Sequence, residues 1–402
     1  MRILHTSDWH IGKKLKEHDR LKEFRNFFDW LKKIIVDEKI DALIAAGDIF
    51  DNKTPSIESQ ELYYSFLGEV SGKSCRHVVI TSGNHDSAQF IDAPAGIMTR
   101  CDVHVVGCAG DNEVITLKDS DGRPELIVCA VPFLNDRDIR TARADDDSLE
   151  IERAMRAGIM NHYSEVFARA REVRGSLDVP IVAMGHLFLE AGKTRPEEGE
   201  HSLYVGTAIK VGTDIFPEDI AYTALGHLHS PQSVGRENIR YSGSPIALTF
   251  GELDVQKTVS VVDFDGRDFA DIREIAVPTF QLMKRVSGDM AKIEAEIEEL
   301  SERKEPVWVE VTYTGSQPTG DIRERLDGIL SLHQNIEVLS TRNESKIETS
   351  APEIDVKPVT LENIKPLEML SLYFNEKNID KASQEIFTPL YKEILVEMGI
   401  NY

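Results

Sequence analysis

The chain has 402 residues, with 46 Lys plus Arg against 69 Asp plus Glu and a formal net charge of −23. That length leaves room for two or three domains. So acidic a balance excludes a protein that grips nucleic acid by its own surface charge alone, and no apolar run reaches the length of a membrane span. The four cysteines (Cys75, Cys101, Cys108, Cys129) have neither metal-ligand nor redox spacing. Lying in or beside apolar runs, they read as buried thiols of a reducing compartment.

In chain order, the first apolar run, Ile3-Leu4, is strand-like and stops at Asp8-Trp9-His10. It starts at once, which leaves no room for a signal peptide and predicts a cytoplasmic protein. Helical periodicity over 19–38 leads to a second run, Ala42–Ala46, which stops at Gly47-Asp48. A second helical stretch, 57–72, precedes the run 78–80, which stops at Gly83-Asn84-His85-Asp86. Residues 113–132 read as strand, turn and strand around Asp121-Gly122, and a third helix is predicted over 148–173. The runs 181–184 and 222–225 then stop at Gly185-His186 and Gly226-His227-Leu228-His229. Helices alternating with strands predict a layered α/β protein.

Strand ends in an α/β sheet lie along one edge, where ligands bind. Seven potential metal ligands should therefore converge: Asp8, His10, Asp48, Asn84, His186, His227 and His229. Hard oxygens with neutral imidazoles suit manganese, iron or zinc, and the absence of thiolate argues against a structural zinc site. Two metals about 3.5–4 Å apart need a bridging ligand. Asp48, following a buried strand and a glycine that permits close approach, is the candidate. Such a pair generates a hydroxide nucleophile and polarises a phosphoryl oxygen, which predicts phosphoester hydrolysis by in-line attack. Any one cluster could be a turn or a cap; five in this order are unlike a set of turns.

The polar loop 190–200 follows His186 directly. Its Lys193 and Arg195 are candidate phosphate contacts, or parts of a mobile surface loop. After Pro278, an apolar run at 280–286, a helix at 289–303, a strand at 307–313, a helix at 321–333 and a strand at 336–339 predict a small two-layer α/β domain. A polar linker follows, then two short helices whose stripes (Leu367, Leu370, Phe374; Leu390, Ile394, Leu395, Met398) need something to cover them. The expected division is 1–278, 279–341, 342–358 and 359–402.

The order D-x-H, G-D, G-N-H-D, G-H, G-H-x-H resembles the calcineurin-like metallophosphoesterases. Beyond the motifs, Met1-Arg2-Ile3-Leu4-His5-Thr6-Ser7-Asp8-Trp9-His10-Ile11-Gly12 resembles the opening of the SbcD family, the nuclease subunits of bacterial SbcCD complexes. So do Gly47-Asp48-Ile49-Phe50-Asp51, Val131-Pro132-Phe133-Leu134 with Arg137-Asp138-Ile139, and Tyr241-Ser242-Gly243-Ser244-Pro245-Ile246. The likeness spans nearly the whole chain and is weakest toward its end.

The resemblance implies a β-sandwich flanked by helices, with a capping domain and C-terminal helices. It implies two divalent ions, manganese foremost. Asp8, His10, Asp48 and His229 would hold one; Asp48, Asn84, His186 and His227 would hold the other. His85 would face the substrate, stabilising the pentavalent phosphate or protonating the leaving oxygen. Asp86 would orient His85, or merely cap a turn. Asp51 stands where archaeal relatives carry a DNA-positioning histidine, and is given no catalytic role.

The implied activity is double-strand exonuclease and single-strand or hairpin endonuclease, in DNA repair, recombination and replication. The implied assembly is a homodimer within a heterotetramer with SbcC, a coiled-coil ATPase. SbcC would take up the C-terminal helices and supply the DNA surface that a charge of −23 lacks. No phosphate-binding Gly-x-x-x-x-Gly-Lys-Ser/Thr loop is present, so ATP would act through the partner. A small-molecule phosphodiesterase of the same fold would need no cap, linker or tail. A non-catalytic scaffold would need neither a bridged metal pair nor His85.

Overall fold

Alternation along single strands builds the layers of this protein, seen here in a computed structural model. It describes residues 1–139, 148–193, 209–315, 326, 328–331 and 333–344, and positions 370, 374, 384, 388 and 391. The first half comprises β1 (Arg2–Thr6), α1 (Leu21–Asp37), β2 (Ala42–Ala46), α2 (Ile57–Val70), β3 (His77–Thr81), α3 (Ala88–Asp92), α4 (Ala95–Met98), β4 (Val103–Val106), β5 (Val114–Lys118) and β6 (Pro124–Ala130). Then come α5 (Asp136–Ile139), α6 (Ser148–Arg174), β7 (Ile181–His186), β8 (Phe188–Leu189), β9 (Lys210–Val211), β10 (Tyr222–Gly226), β11 (Gln232–Val234) and β12 (Arg236–Tyr241). The last are β13 (Thr258–Asp265), β14 (Asp268–Ala276), β15 (Leu282–Gly288), α7 (Met290–Ser301), β16 (Val307–Tyr313) and β17 (Ile336–Asn343).

Two six-stranded sheets, ordered β14-β13-β1-β2-β3-β4 and β11-β12-β10-β7-β6-β5, face each other. The four strands from β1 to β4 run parallel, as do β6, β7, β10 and β12. Successive strand residues point to opposite faces, so Ile3, Ile44 and Val79 enter the inter-sheet core with Val128, Val182 and Met184. Leu4, Leu43 and Val78 point outward, beneath Phe27, Phe28 and Leu31 of α1 and Phe66 of α2. On the far side, Ile181, Ala183 and Leu225 meet Ile159, Tyr163 and Phe167 of α6. The result is a helix–sheet–sheet–helix sandwich, an α/β fold of the expected class. The central parallel strands β2, β3, β7 and β10 are buried on both faces, which is why they read as continuous apolar runs.

The hairpin β13–β14 adds strands to the first sheet through antiparallel pairing of β13 with β1. It escaped the strand predictions, although Gly266 at φ 57° makes its turn. The third sheet, β15-β16-β17, is parallel, with Ile293 and Ile297 of α7 packed on Val307, Val309 and Val311. Its last strand runs to Asn343, beyond the predicted 339 and past the expected boundary at 342. Arg342 and Asn343 pair with Thr312 and Tyr313, and an edge strand accepts such polar residues readily.

The expected helix at 321–333 is described only in part, at Leu326 and 328–330. The chain divides into units Met1–Lys346 and Ile347–Tyr402. Arg195, the linker from 345 on, Leu367 and all of the second tail stripe lie outside the described residues. The cysteine prediction needs correcting. Cys75 and Cys129 are buried, Cys108 is half-buried and Cys101 is exposed; all four are free thiols.

Candidate metal centre

All seven predicted ligands come together, but from two sheets and not one. Asp8, His10, Asp48 and Asn84 follow β1, β2 and β3 of the first sheet, whereas His186, His227 and His229 end or follow β7 and β10 of the second. The loop after β1 extends the pairing of β1 with β2: the N–H groups of Asp8, His10 and Ile11 donate to the carbonyls of Gly47, Asp48 and Ile49 at 2.9–3.0 Å. That register sets Asp8 and His10 beside Asp48.

The backbone at the centre is strained. Asp8, His10, Asp48 and His227 all have positive φ, from 48° to 102°. Left-handed non-glycine residues of this kind cluster at functional sites, where surrounding structure over-determines them. Gly83 gives the loops room, since a Cβ there would collide with the Asp48 carboxylate and backbone nitrogen.

Asp48 is nearly buried, at 2 % exposure. Its Oδ1 accepts the backbone N–H of His85 at 2.8 Å. That bond turns Oδ2 toward two imidazoles, 3.5 Å from His10 Nε2 and 3.3 Å from His186 Nε2. Burial opposes its charge, but His186, His10 and His85 hold the carboxyl well below its usual range. Asp8 accepts from the His227 N–H at 2.8 Å and from the Ser7 hydroxyl at 2.5 Å. One ligand atom each from Asp8, His10 and His229 lie within 4.8 Å of one another, as do those of Asp8, Asp48 and His186.

On the other side, His186 Nδ1 lies 3.0 Å from the Ala46 carbonyl, so that nitrogen is the donor. Nε2 then faces Asn84 Oδ1 at 3.0 Å as well as Asp48. His227 Nδ1 is 3.1 Å from the same Asn84 oxygen. Acceptor atoms thus converge where hydrogen bonding leaves too few protons to share. Burial pulls His186 down, yet Asp48 and Asp8 push it up to about 9, while burial drops His227 to about 3. Both ring nitrogens of His10 are buried without a hydrogen-bond partner. A donor set of carboxylates, an amide oxygen and imidazoles around orphaned nitrogens fits a pair of divalent cations.

Supporting groups reveal what sequence reasoning missed. Glu252, from the turn after Leu248, is 1 % exposed and lies 3.2 Å from His229 Nδ1. Its second oxygen accepts from Lys257 Nζ at 2.7 Å and the Leu248 N–H at 3.0 Å. Burial opposes ionisation, but Lys257 and His229 hold Glu252 well below the usual carboxylate range. A metal-ligating histidine characteristically gives its other nitrogen to such a carboxylate. Asp51 stands likewise 3.4 Å from His10 Nδ1 and 3.0 Å from Lys13 Nζ. Against burial, His10 and Lys13 lower it to about 2.

His85 is half-buried and meets His10 edge-on at 4.8 Å. Its Nδ1 lies 3.0 Å from the Asp51 carbonyl. Asp86 does not pair with that ring. Its carboxylate accepts the N–H groups of Ile49, Phe50 and Gly83 at 2.8–3.0 Å, tying the loop after β2 to the loop after β3. The turn reading therefore wins for Asp86, and the Asp51 carbonyl orients His85. Burial and the Asp48 charge push Asp86 up to about 7. The exposed Lys193 is anchored by its backbone, whose N–H and carbonyl both bond the Gln232 side chain at 2.9 Å. Phe133 and Phe188 stand by His186 and His227, at 6.3 and 6.1 Å.

The calcineurin-like phosphoesterase profile covers residues 1–231, and a profile described as the type 5 capsule protein repressor C-terminal domain covers 279–378. The chain is 35 % identical over 346 residues to SbcD, the nuclease subunit of SbcCD, from Escherichia coli K12, covering 85 % of each. It is 34 % identical over 381 residues to the SbcD of Rhodobacter capsulatus, covering 90 % of this chain and 93 % of the relative. Against the SbcD of Bacillus subtilis it is 33 % identical over 282 residues, covering 68 % and 69 %. The chain belongs to the calcineurin-like phosphoesterases and, within them, to the SbcD family.

Proposed function

We propose that this chain hydrolyses DNA phosphodiester bonds as a manganese-dependent nuclease, partnered by an SbcC-type ATPase. The observation that carries the reading is Asp48 Oδ2, lying between His10 Nε2 and His186 Nε2. Asp48 would bridge two cations there, one held also by Asp8, His10 and His229 and the other by Asn84, His186 and His227. Two bound divalent ions supply an activated water and polarise the phosphoryl oxygen.

The protein's own groups do the rest. Asp48, Asp8 and Asn84 are held by the backbone and by imidazoles, so the donor set is organised before substrate arrives. His85, whose Nδ1–H donates to the Asp51 carbonyl, would act as the imidazolium: its Nε2 gives up the proton taken by the leaving sugar oxygen as its bond to phosphorus breaks, and the neutral ring remains. Lys193 and Arg195 are the proposed phosphate contacts. With a charge of −23, the chain needs a partner surface to hold a polyanion. A homodimer within a heterotetramer, docked on SbcC through the C-terminal helices, meets that need. Among the described residues no helix is long and apolar enough to cross a membrane, and a nuclease acting on chromosomal DNA would work in the cytoplasm.

The test is manganese-dependent cleavage of a labelled hairpin duplex, with and without the SbcC-type ATPase. Cleavage should require manganese and Asp48 and rise with partner and ATP. Turnover of bis-p-nitrophenyl phosphate with no DNA cut under any condition would instead make this a small-molecule phosphodiesterase.

A further inference from the structure

A second ligand cluster lies at the other end of the first sheet. His77 is the first residue of β3 and His104 the second of β4. His104 sits opposite Val79 in the parallel pairing of these strands. Residues two apart on a strand share a face, as do partners across a pair, so His77 and His104 project from the same face. Asp102, left-handed at φ 57°, turns the chain into β4. One ligand atom from each of the three lies within 4.8 Å of the others. Asn84 follows His77 by seven residues, so at about 3.3 Å per strand residue the candidate metal centre is far out of reach.

His77 supplies the decisive geometry. It is 8 % exposed, and its Nε2 lies 2.8 Å from the Lys118 carbonyl of β5. A carbonyl only accepts, so Nε2 carries the proton and the neutral ring presents a lone pair at Nδ1. That nitrogen is buried with no hydrogen-bond partner, and it lies 3.9 Å from Asp102 Oδ1. One ring nitrogen fixed by a carbonyl and the other left open is the arrangement of a metal-ligating histidine. A surface cleft lined by His77, Asp102 and Lys118 gives an ion access.

We propose that His77, His104 and Asp102 bind a divalent transition metal, zinc above all. Two imidazoles and a carboxylate suit zinc, with water in the fourth position. The ion would clip β4, an edge strand, to β3, and through the Lys118 carbonyl to the second sheet. The site depends on none of the residues of the nuclease centre.

Zinc counted by mass spectrometry after equilibrium dialysis of the full chain tests the proposal. His104→Gln should lower the content by one zinc per chain, with circular dichroism and manganese-dependent cleavage as in the wild type. Asp102→Gly is the second variant, since glycine takes the left-handed conformation without strain; it should weaken that zinc at least tenfold. In Asp48→Ala protein the same one-zinc decrement should persist, which separates this site from the nuclease centre. A zinc content unchanged by both His104→Gln and Asp102→Gly in folded protein overturns the site.

Discussion

Asp48 Oδ2 lies 3.3 Å from His186 Nε2, although the two residues belong to different sheets. The sandwich is thus closed over its own candidate centre, and a change at Asp48 reaches both halves. Asp48→Ala should abolish manganese-dependent cleavage and reduce bound manganese, as read by isothermal titration calorimetry. Asp48→Asn keeps the shape and the bond to the His85 N–H but loses the charge. It should fold normally yet bind metal more weakly, and full metal affinity in Asp48→Asn would refute the bridging role.

Gly83 makes a steric prediction. A Cβ there meets the Asp48 carboxylate and backbone, and overpacking of a tight site costs about 1–3 kcal/mol. Gly83→Ala should lower the thermal midpoint in the metal-free protein. It should also weaken metal binding, because Asp48 has to move. An equally destabilised variant with wild-type metal affinity would show that Asp48 has freedom the packing denies.

The clusters at the ends of apolar runs were legible because buried parallel strands leave an unbroken apolar signature, and the ligands interrupt it. Their division between two sheets was not. Pairing partners are non-local, and nothing in Ile181–His186 announces that it lies beside Tyr222–Gly226 and faces β2 across a core. Glu252 and Asp51 were missed for related reasons. Glu252 is a lone acid in a short turn, 23 residues from the His229 it touches, and no periodicity marks it. Asp51 earns no place at the phosphate, yet its contact is with His10, 41 positions earlier in the chain, and that pairing leaves no trace in the sequence. Asp86 shows the opposite case: a turn and a catalytic support are equally open in the sequence, and three backbone N–H groups decide for the turn.

His85 separates catalysis from metal binding. His85→Ala removes no candidate ligand, so manganese stoichiometry should stay at the wild-type value while cleavage falls by about 10²–10⁴-fold, the usual worth of a positioned general acid. Single-turnover cleavage at saturating metal is the measurement. Loss of metal together with activity would make His85 a ligand and not a proton donor.

A pH prediction comes from the far side of the second sheet. Arg171 and Arg174, in the last turn of α6, reach Asp219 at 2.6–3.2 Å. The hydrogen bond from Arg171 holds its carboxyl below the ordinary value, outweighing burial. A carboxyl lowered by folding contributes stability above its unfolded pKa of about 3.9 and loses it as pH falls through the folded value. The contribution should therefore begin to shrink below about pH 4 and vanish only once the pH is below the folded value. Because Asp219 is more than a third exposed, its worth is under about 1 kcal/mol. In urea melts, Asp219→Asn should be slightly less stable than wild type at pH 7, and the gap should narrow as the pH falls below about 4. A gap that persists in acid would assign the effect to packing.

Glu252 carries two duties that a double variant can separate. Its carboxylate faces His229 on one side and the buried Lys257 on the other. Glu252→Gln leaves the ammonium without its counter-charge, and breaking a buried pair from one side costs about 3–5 kcal/mol. It also removes the charge behind His229, and losing such support costs about 10–100-fold in metal affinity. Adding Lys257→Met removes the orphaned charge and should recover much of the stability. Metal affinity should not recover, because His229 still lacks its carboxylate. Thermal midpoints of the metal-free proteins and manganese titrations of each variant read the two effects apart. Should affinity return with stability in Glu252→Gln/Lys257→Met, Glu252 would be a packing residue that only happens to touch His229.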